Sequence, residues 1–352
     1  MSVFSQKISR RYFMCGGAVT LAGAAGAMAT RATPGTAQTA SLAEVLAKAA
    51  QLKPLETVIV ARNGKLLAEW GYGEHSVKTP TNIKSASKAI ISALVGIAID
   101  RGILQGVDQR VAPILRRDLP READTRLEAI TIGNLLSMQA GLRRTSGPNY
   151  GRWIASPNWV RAVLAQPFED DPGGSMLYST GSSHLLSAIL TNITGRSTLD
   201  NAREWFSAVE DFEISAWQRD PQGIYLGGNE MAMSPRSLLA FGEVYRKDGL
   251  AADGSRVLSQ EWIRQSWTPR TNSRYTGDRY GYGWFLRTIG GEDVRYAWGY
   301  GGQMLYIVPS LDLTVVMTSD ENPRATTIAD RDNLHVLLAK IIAAVSDKGE
   351  PS

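Results

Sequence analysis

Ser85 and Lys88 stand three residues apart in Lys84-Ser85-Ala86-Ser87-Lys88, at the mouth of the apolar run ASKAIISALVGIAIDR. On a helix, residues at that spacing share a face, so the hydroxyl and the amine can meet. A serine at a helix start also gains from the local dipole, which favours the negative charge that forms as it attacks. Burial in an apolar face disfavours the charged form of a lysine and makes it a usable base near neutral pH. The pair therefore has the makings of a nucleophile and its base. Alone, S-x-x-K reads equally well as a capped helix with a solvated lysine.

Two more segments bear on that choice. Tyr178-Ser179-Thr180 precedes a second apolar helix, SSHLLSAILTNITG, and Tyr300-Gly301-Gly302-Gln303 leads into the run MLYIV. A tyrosine at such a position can equally satisfy its hydroxyl inside a core. The glycine pair permits close backbone approach, either to a substrate or merely through a tight turn. Tyr150, Trp153 and Trp159 are candidates to line an acyl pocket, with ordinary core packing as the alternative.

Other chemistries find little support. No G-x-S-x-G occurs, so the nucleophile elbow of α/β-hydrolases is missing. The histidines are His75, His184 and His335; His184 lies on an apolar helix and reads as structural. No H-E-x-x-H or carboxylate cluster suggests a metal, and no cofactor is expected. Glu169-Asp170-Asp171 reads as a solvated loop before Pro172.

The three segments, in this order, resemble the serine β-lactamase and penicillin-binding-protein superfamily, whose motifs are S-x-x-K, Y-x-N and K-T-G or H-x-G. The likeness is to the class C-like branch with family VIII carboxylesterases and 6-aminohexanoate-oligomer hydrolases. IKSASKAIISALVGIAIDRGIL, ITIGNLLSMQAGL, LYSTGSSHLLSAIL, GGNEMAMSPRSLLAFG and GYGWFL carry it along the chain. The resemblance implies an acylated serine at Ser85, a general base at Lys88 and a proton-relaying phenol at Tyr178. It also implies an oxyanion hole made by the backbone N–H groups of Ser85 and Gln303, and a substrate-binding role for Thr180, Tyr300, Gly301 and Gly302. Two positions depart from the pattern. Thr180 replaces asparagine, so an amide contact is absent or taken over by a hydroxyl. Tyr300 replaces the lysine or histidine of the third motif, which removes the usual partner of a β-lactam carboxylate. An esterase or amidase working through an acyl-enzyme is the expectation. A β-lactamase or D,D-peptidase is the alternative, and a non-catalytic penicillin-recognising fold a second one.

The elements that must position these groups are also visible. Residues 41–50 read as a helix with Ser41 as N-cap and Glu44 completing a capping box. Asn63-Gly64 between TVIVAR and KLLAEW marks a hairpin. The runs YGWFLRT, DVRYAW, MLYIV and LTVVMTS read as strands, and residues 329–345 as a closing amphipathic helix. Strands at both ends with helices between predict an α/β (α+β) fold. An antiparallel sheet would draw on about 38–75 and 275–352, with a mainly helical insertion over about 76–274.

Charge and the single cysteine bound the rest. Residues 1–37 hold Lys7, Arg10, Arg11 and Arg31 and no acid; the remaining 34 basic residues balance 34 acidic ones. A neutral body gives no electrostatic support for nucleic acid or an anionic membrane; the expected partner, a small-molecule ester or amide, is what the resemblance implies. Ser9-Arg10-Arg11-Tyr12-Phe13-Met14 before a mild Gly/Ala stretch resembles a twin-arginine export signal, with small residues for cleavage near Ala37. The expectation is a periplasmic or secreted protein, residues 38–352 forming one hydrolase domain with no stable membrane anchor. Cys15 lies inside that leader, which leaves the mature chain without a thiolate nucleophile or disulfide. Oligomeric state is not legible.

Overall fold

A computed structural model describes residues 40–321 and 328–346. Helix α1 (Leu42–Ala49) begins at Ser41, whose hydroxyl accepts from the Glu44 N–H while the Glu44 carboxylate accepts from the Ser41 N–H. The expected capping box is present. Strands β1 (Leu55–Arg62) and β2 (Lys65–Gly71) then pair about Asn63 (φ 51°) and Gly64 (φ 73°), two left-handed residues of the kind a two-residue hairpin requires. Strand β3 (Thr81–Asn82) and a 3₁₀ turn (Lys84–Ala86) lead into α2 (Ser87–Asp100), buried along nearly its whole length.

The middle of the chain supplies short helices α3 (Ile132–Leu136), α4 (Tyr150–Ile154) and α5 (Trp159–Leu164), then α6 (Thr180–Thr194) and α7 (Thr198–Trp205). Strands β4 (Ala216–Trp217) and β5 (Met231–Met233) precede α8 (Pro235–Arg246) and α9 (Gln260–Ser266). The end of the chain contributes β6 (Thr271–Asn272), β7 (Arg279–Tyr280), β8 (Phe285–Ile289), β9 (Glu292–Gly299), β10 (Gln303–Val308) and β11 (Leu313–Ser319), then α10 (Ile328–Ser346).

Among the described residues the large sheet is antiparallel, in the order β2-β1-β11-β10-β9-β8-β7-β6. Its first and last segments meet where β1 pairs β11, so both chain ends build one sheet, as expected. Strand periodicity divides the core in two. Val58, Val60, Met304, Tyr306, Val315 and Met317 face α1 and α10, whereas Ile59, Leu305, Ile307 and Val316 face α2 and α8.

Two details refine the expected layout. The later part of the large sheet begins at Thr271, close to the expected 275, and the mainly helical insertion also carries short strands. A second sheet, β3-β5-β4, joins Thr81–Asn82 to Met231–Met233. Strands of two or three residues have no readable period, yet this pairing brings the loop before β5 against the start of α2.

Helix α2 tolerates no extra volume where it crosses α9. A Cβ on Gly96 would lie 2.4 Å from three atoms of the buried Trp262 indole. Replacing a mid-helix glycine with alanine gains up to about 1 kcal/mol of propensity. Overpacking a core costs about 1–3 kcal/mol, and a buried ring cannot swing aside. Gly96→Ala is therefore expected to lower the denaturation midpoint measured in urea. An unchanged or raised midpoint would contradict this packing.

Candidate active site

The chain approaches Ser85 under restraint. Lys84 adopts φ 49°, a left-handed conformation uncommon for a residue with a long side chain. Neighbours hold it there. The Asn82 side-chain oxygen accepts from the Lys84 N–H at 2.9 Å, and the Lys84 carbonyl accepts from the Ser87 hydroxyl at 2.7 Å. The Lys84 amine lies 3.8 Å from both Glu230 and Glu321, and these carboxylates in turn accept from Asn82. Ser85 thus sits in the 3₁₀ turn just ahead of α2 rather than within it, with its hydroxyl half-buried.

One turn deeper, Lys88 is buried and its amine touches three oxygens. Nζ lies 2.9 Å from Ser85 Oγ, 3.3 Å from Thr180 Oγ1 and 2.7 Å from the Gly228 carbonyl. No carboxylate among the described residues pairs with it. Burial lowers the amine from its ordinary 10.5 to about 7. A neutral amine has two hydrogens and one lone pair. The Gly228 carbonyl and Thr180 Oγ1 accept from the amine, which in this geometry also donates to Ser85 Oγ; in its neutral form it has a lone pair that can face that hydroxyl instead.

Tyr178 completes the group. The ring lies against Lys88, with Nζ 5.1 Å from its centroid, and packs on Tyr280 and Phe285 at 6.2 and 6.1 Å. Burial raises the phenol to about 12, opposed by a hydrogen bond with Ser85. It is therefore a proton donor at neutral pH. Its position is set by α6, whose first-turn N–H groups are capped from another loop. Thr180 N–H donates to Ser146 Oγ at 2.8 Å and Gly181 N–H to Thr145 Oγ1 at 2.9 Å. Thr145 N–H in turn donates to Ser179 Oγ at 3.0 Å.

The third segment turns between β9 and β10. Gly299 packs so closely on the turn that carries Ser85 that a Cβ would stand 2.2 Å from the Ile83 carbonyl oxygen. Gly301 and Gly302 have φ of 96° and 103°, values that favour glycine. Gln303 opens β10 fully buried, and its side-chain amide donates to the Ser319 carbonyl at 2.5 Å. The start of β10 is thereby fixed to the end of β11, alongside the turn that carries Ser85. Tyr300, at the tip, is 52% exposed.

Ser85, Lys88, Tyr178 and Thr180 converge, and the turn of Tyr300, Gly301, Gly302 and Gln303 flanks the Ser85 segment. Thr180 is buried, its hydroxyl between Lys88 and Ser146 at 3.0 Å, so it replaces the amide as a partner of the lysine rather than facing an open cleft. Trp153 does not line a pocket. It is 3% exposed, donates its indole N–H to the Trp159 carbonyl and packs on Trp159 and His184. Its spacing from Trp159 is that of core packing. Tyr150 lies nearer, its hydroxyl accepting from the Asn229 side chain at 2.8 Å. The Gly228 carbonyl and the Asn82 restraint had no separate signal in the sequence, because one is a backbone atom and the other acts through a turn.

Among the described residues no group of three metal-ligating side chains occurs, and no helix is long and apolar enough to cross a membrane. The export-like segment lies outside the described residues.

A family model described as Beta-lactamase matches residues 24–340. Solved structures with the same fold include one assigned as a 6-aminohexanoate-dimer hydrolase from Bacillus anthracis, at 17% identity and TM-score 0.69, covering 88% of this chain and 83% of that one. EstCE1, described as a hydrolase with promiscuous acyltransferase activity, is 17% identical with TM-score 0.67 over 86% of this chain and 97% of its own. A D-stereospecific amidohydrolase from Streptomyces is 16% identical with TM-score 0.61, over 80% and 93%.

The environment of Lys88 makes a direct prediction. Followed by lysine-selective NMR, one amine should titrate near 7 and disappear in Lys88→Met. A midpoint close to 10.5 would contradict the buried, carboxylate-free setting.

Proposed function

The chain belongs to the Beta-lactamase family, and on that premise we propose that it is a serine hydrolase that passes an acyl group from an ester or amide to Ser85 and then to water. The observation that carries this reading is the Lys88 amine, buried, held by the Gly228 carbonyl and 2.9 Å from the Ser85 hydroxyl.

The chemistry follows from the hydrogen bonds. The Lys88 lone pair takes the Ser85 proton as Oγ bonds to the carbonyl carbon, and the carbonyl electron pair moves onto oxygen. The backbone N–H groups of Ser85 and Gln303 receive that oxyanion. As the intermediate collapses, the bond to the leaving group breaks. The departing atom takes a proton from Tyr178, which recovers one from the Lys88 ammonium. In the second half, water loses a proton to the Lys88–Tyr178 pair while its oxygen bonds to the acyl carbon. The ester bond breaks and Ser85 regains its proton. The described activities of the structural relatives, an amide-dimer hydrolase, an acyltransferring hydrolase and an amidohydrolase, support an ester or amide as the substrate class.

A fluorophosphonate probe should label the wild-type protein and fail on Ser85→Ala, with Lys88→Ala slowing labelling by about 100-fold or more. Labelling at another residue, or an unchanged rate in Lys88→Ala, would refute the assignment. We also propose export through the twin-arginine-like start, with residues 38–352 as the mature hydrolase domain. Fractionation of cells expressing the full chain should then recover Arg10-Arg11-dependent protein outside the cytoplasm. Equal recovery from an Arg10→Lys, Arg11→Lys variant would count against it.

A further inference from the structure

The carbonyl that holds Lys88 belongs to a loop with unusual support. In residues 225–228, the Tyr225 carbonyl accepts from Ser187 at 2.6 Å and the Leu226 carbonyl from the Trp217 indole at 2.8 Å. The Gly227 N–H donates to His184 Nδ1 at 3.4 Å, and the Gly228 carbonyl accepts from Lys88. Gly227 has no room to shift toward α6, since a Cβ there would stand 2.1 Å from the Ser183 carbonyl oxygen. On the other side a Cβ on Gly228 would lie 2.7 Å from Lys88 Cγ.

His184 is fully buried on α6, clamped between the rings of Trp153 and Trp159, each 5.7 Å away and edge-on. Its Nε2 lies 3.0 Å from Oδ2 of Asp220, itself buried. The other carboxylate oxygen, Oδ1, accepts from the N–H groups of Gln222 and Ile224, both at 2.8 Å. The proton on the ring is assigned by its partners. Gly227 offers a donor, so Nδ1 presents a lone pair; Nε2 therefore carries the proton and donates it to Asp220.

We infer that Asp220 and His184 are positioning residues for Lys88: the carboxylate fixes the His184 tautomer, the imidazole fixes the Gly227 N–H, and the carbonyl of the following residue, Gly228, orients the Lys88 amine toward Ser85. This rests on the reading of Lys88 as the base. Without the Gly228 acceptor aimed at it, the amine has a free N–H to satisfy and can turn its lone pair away from the serine. Neither residue touches the reacting atoms. The two tryptophans hold the ring at its angle, which gives Trp153 and Trp159 a purpose other than an acyl pocket.

Asp220→Asn tests this with almost no change in shape. The side-chain oxygen must stay on the two turn N–H groups, so the amide nitrogen replaces Oδ2 and donates to His184 Nε2. The ring proton is forced to Nδ1, where it opposes the Gly227 N–H. Nitrogen-15 NMR should report an Nε2-protonated His184 in the wild type and the switched tautomer in Asp220→Asn. The acylation rate constant of Ser85 should fall by about tenfold or more, with the substrate dissociation constant from the same pre-steady-state traces within about twofold, as expected of a support residue that orients a reacting group. A wild-type His184 protonated on Nδ1 would overturn the inference. So would a folded Asp220→Asn that acylates at the wild-type rate. Should that variant not fold, His184→Asn and His184→Gln decide. Asn keeps an acceptor for Gly227, whereas Gln keeps only a donor for Asp220. Faster acylation in His184→Asn is expected, and equal or faster acylation in His184→Gln would overturn the proposal. Failure of the wild type to label at Ser85 would instead sink the reading of the site itself, whereas normal wild-type labelling with an indifferent Asp220→Asn sinks this inference alone.

Discussion

A lysine amine removed from water, with no carboxylate among the described residues to compensate it, is the constraint on which this structure turns. Lowering the amine from 10.5 to about 7 corresponds to about 5 kcal/mol against the ammonium form. The fold accepts that cost by surrounding Nζ with acceptors of fixed direction: the Gly228 carbonyl and the hydroxyls of Thr180 and Ser85. A carboxylate at the same place would hold the amine charged and useless as a base. Much of the remaining architecture serves to keep those oxygens in place. The 3₁₀ turn, the cap of α6 by Thr145 and Ser146, the small sheet that carries the Gly228 loop and the glycine-lined turn before β10 all converge on one amine.

The two departures noted in the sequence take on physical meaning in this setting. Thr180 offers Lys88 a hydroxyl where an amide would be expected, and the hydroxyl is passed on to Ser146 rather than presented to a substrate. Tyr300 places an aromatic ring at the exposed tip of the turn, where it supplies no cation for a substrate carboxylate. The carboxylates at this end of the site belong to Glu230 and Glu321, and both are engaged with Lys84 and Asn82.

What the sequence made legible was local. The spacing of Ser85 and Lys88, the Ser41 cap, the Asn63-Gly64 hairpin and the alternation of the late strands each depend on neighbours a few residues apart. Tyr178 and the turn at Gly301-Gly302 became legible through their order along the chain. Whatever depends on long-range pairing was hidden. The β3–β5 contact involves strands too short to have a period, and Gly228 acts through its carbonyl, which every residue possesses. His184 read correctly as structural, yet its link to Asp220, 36 positions away, left no trace in spacing. Trp153 and Trp159 look alike as pocket or core in any linear reading; only their hydrogen bonds separate the two.

The proposed chemistry requires that a neutral Lys88 remove the proton of Ser85. The most direct measurement is the pre-steady-state burst of p-nitrophenol from an activated ester, followed between about pH 5 and 9 in wild type and Lys88→Met. The burst rate constant should fall as pH drops below about 7, where the amine becomes protonated, and the variant should lose both the burst and its pH dependence. A burst that persists in Lys88→Met, or a wild-type rate constant flat across that range, would contradict it.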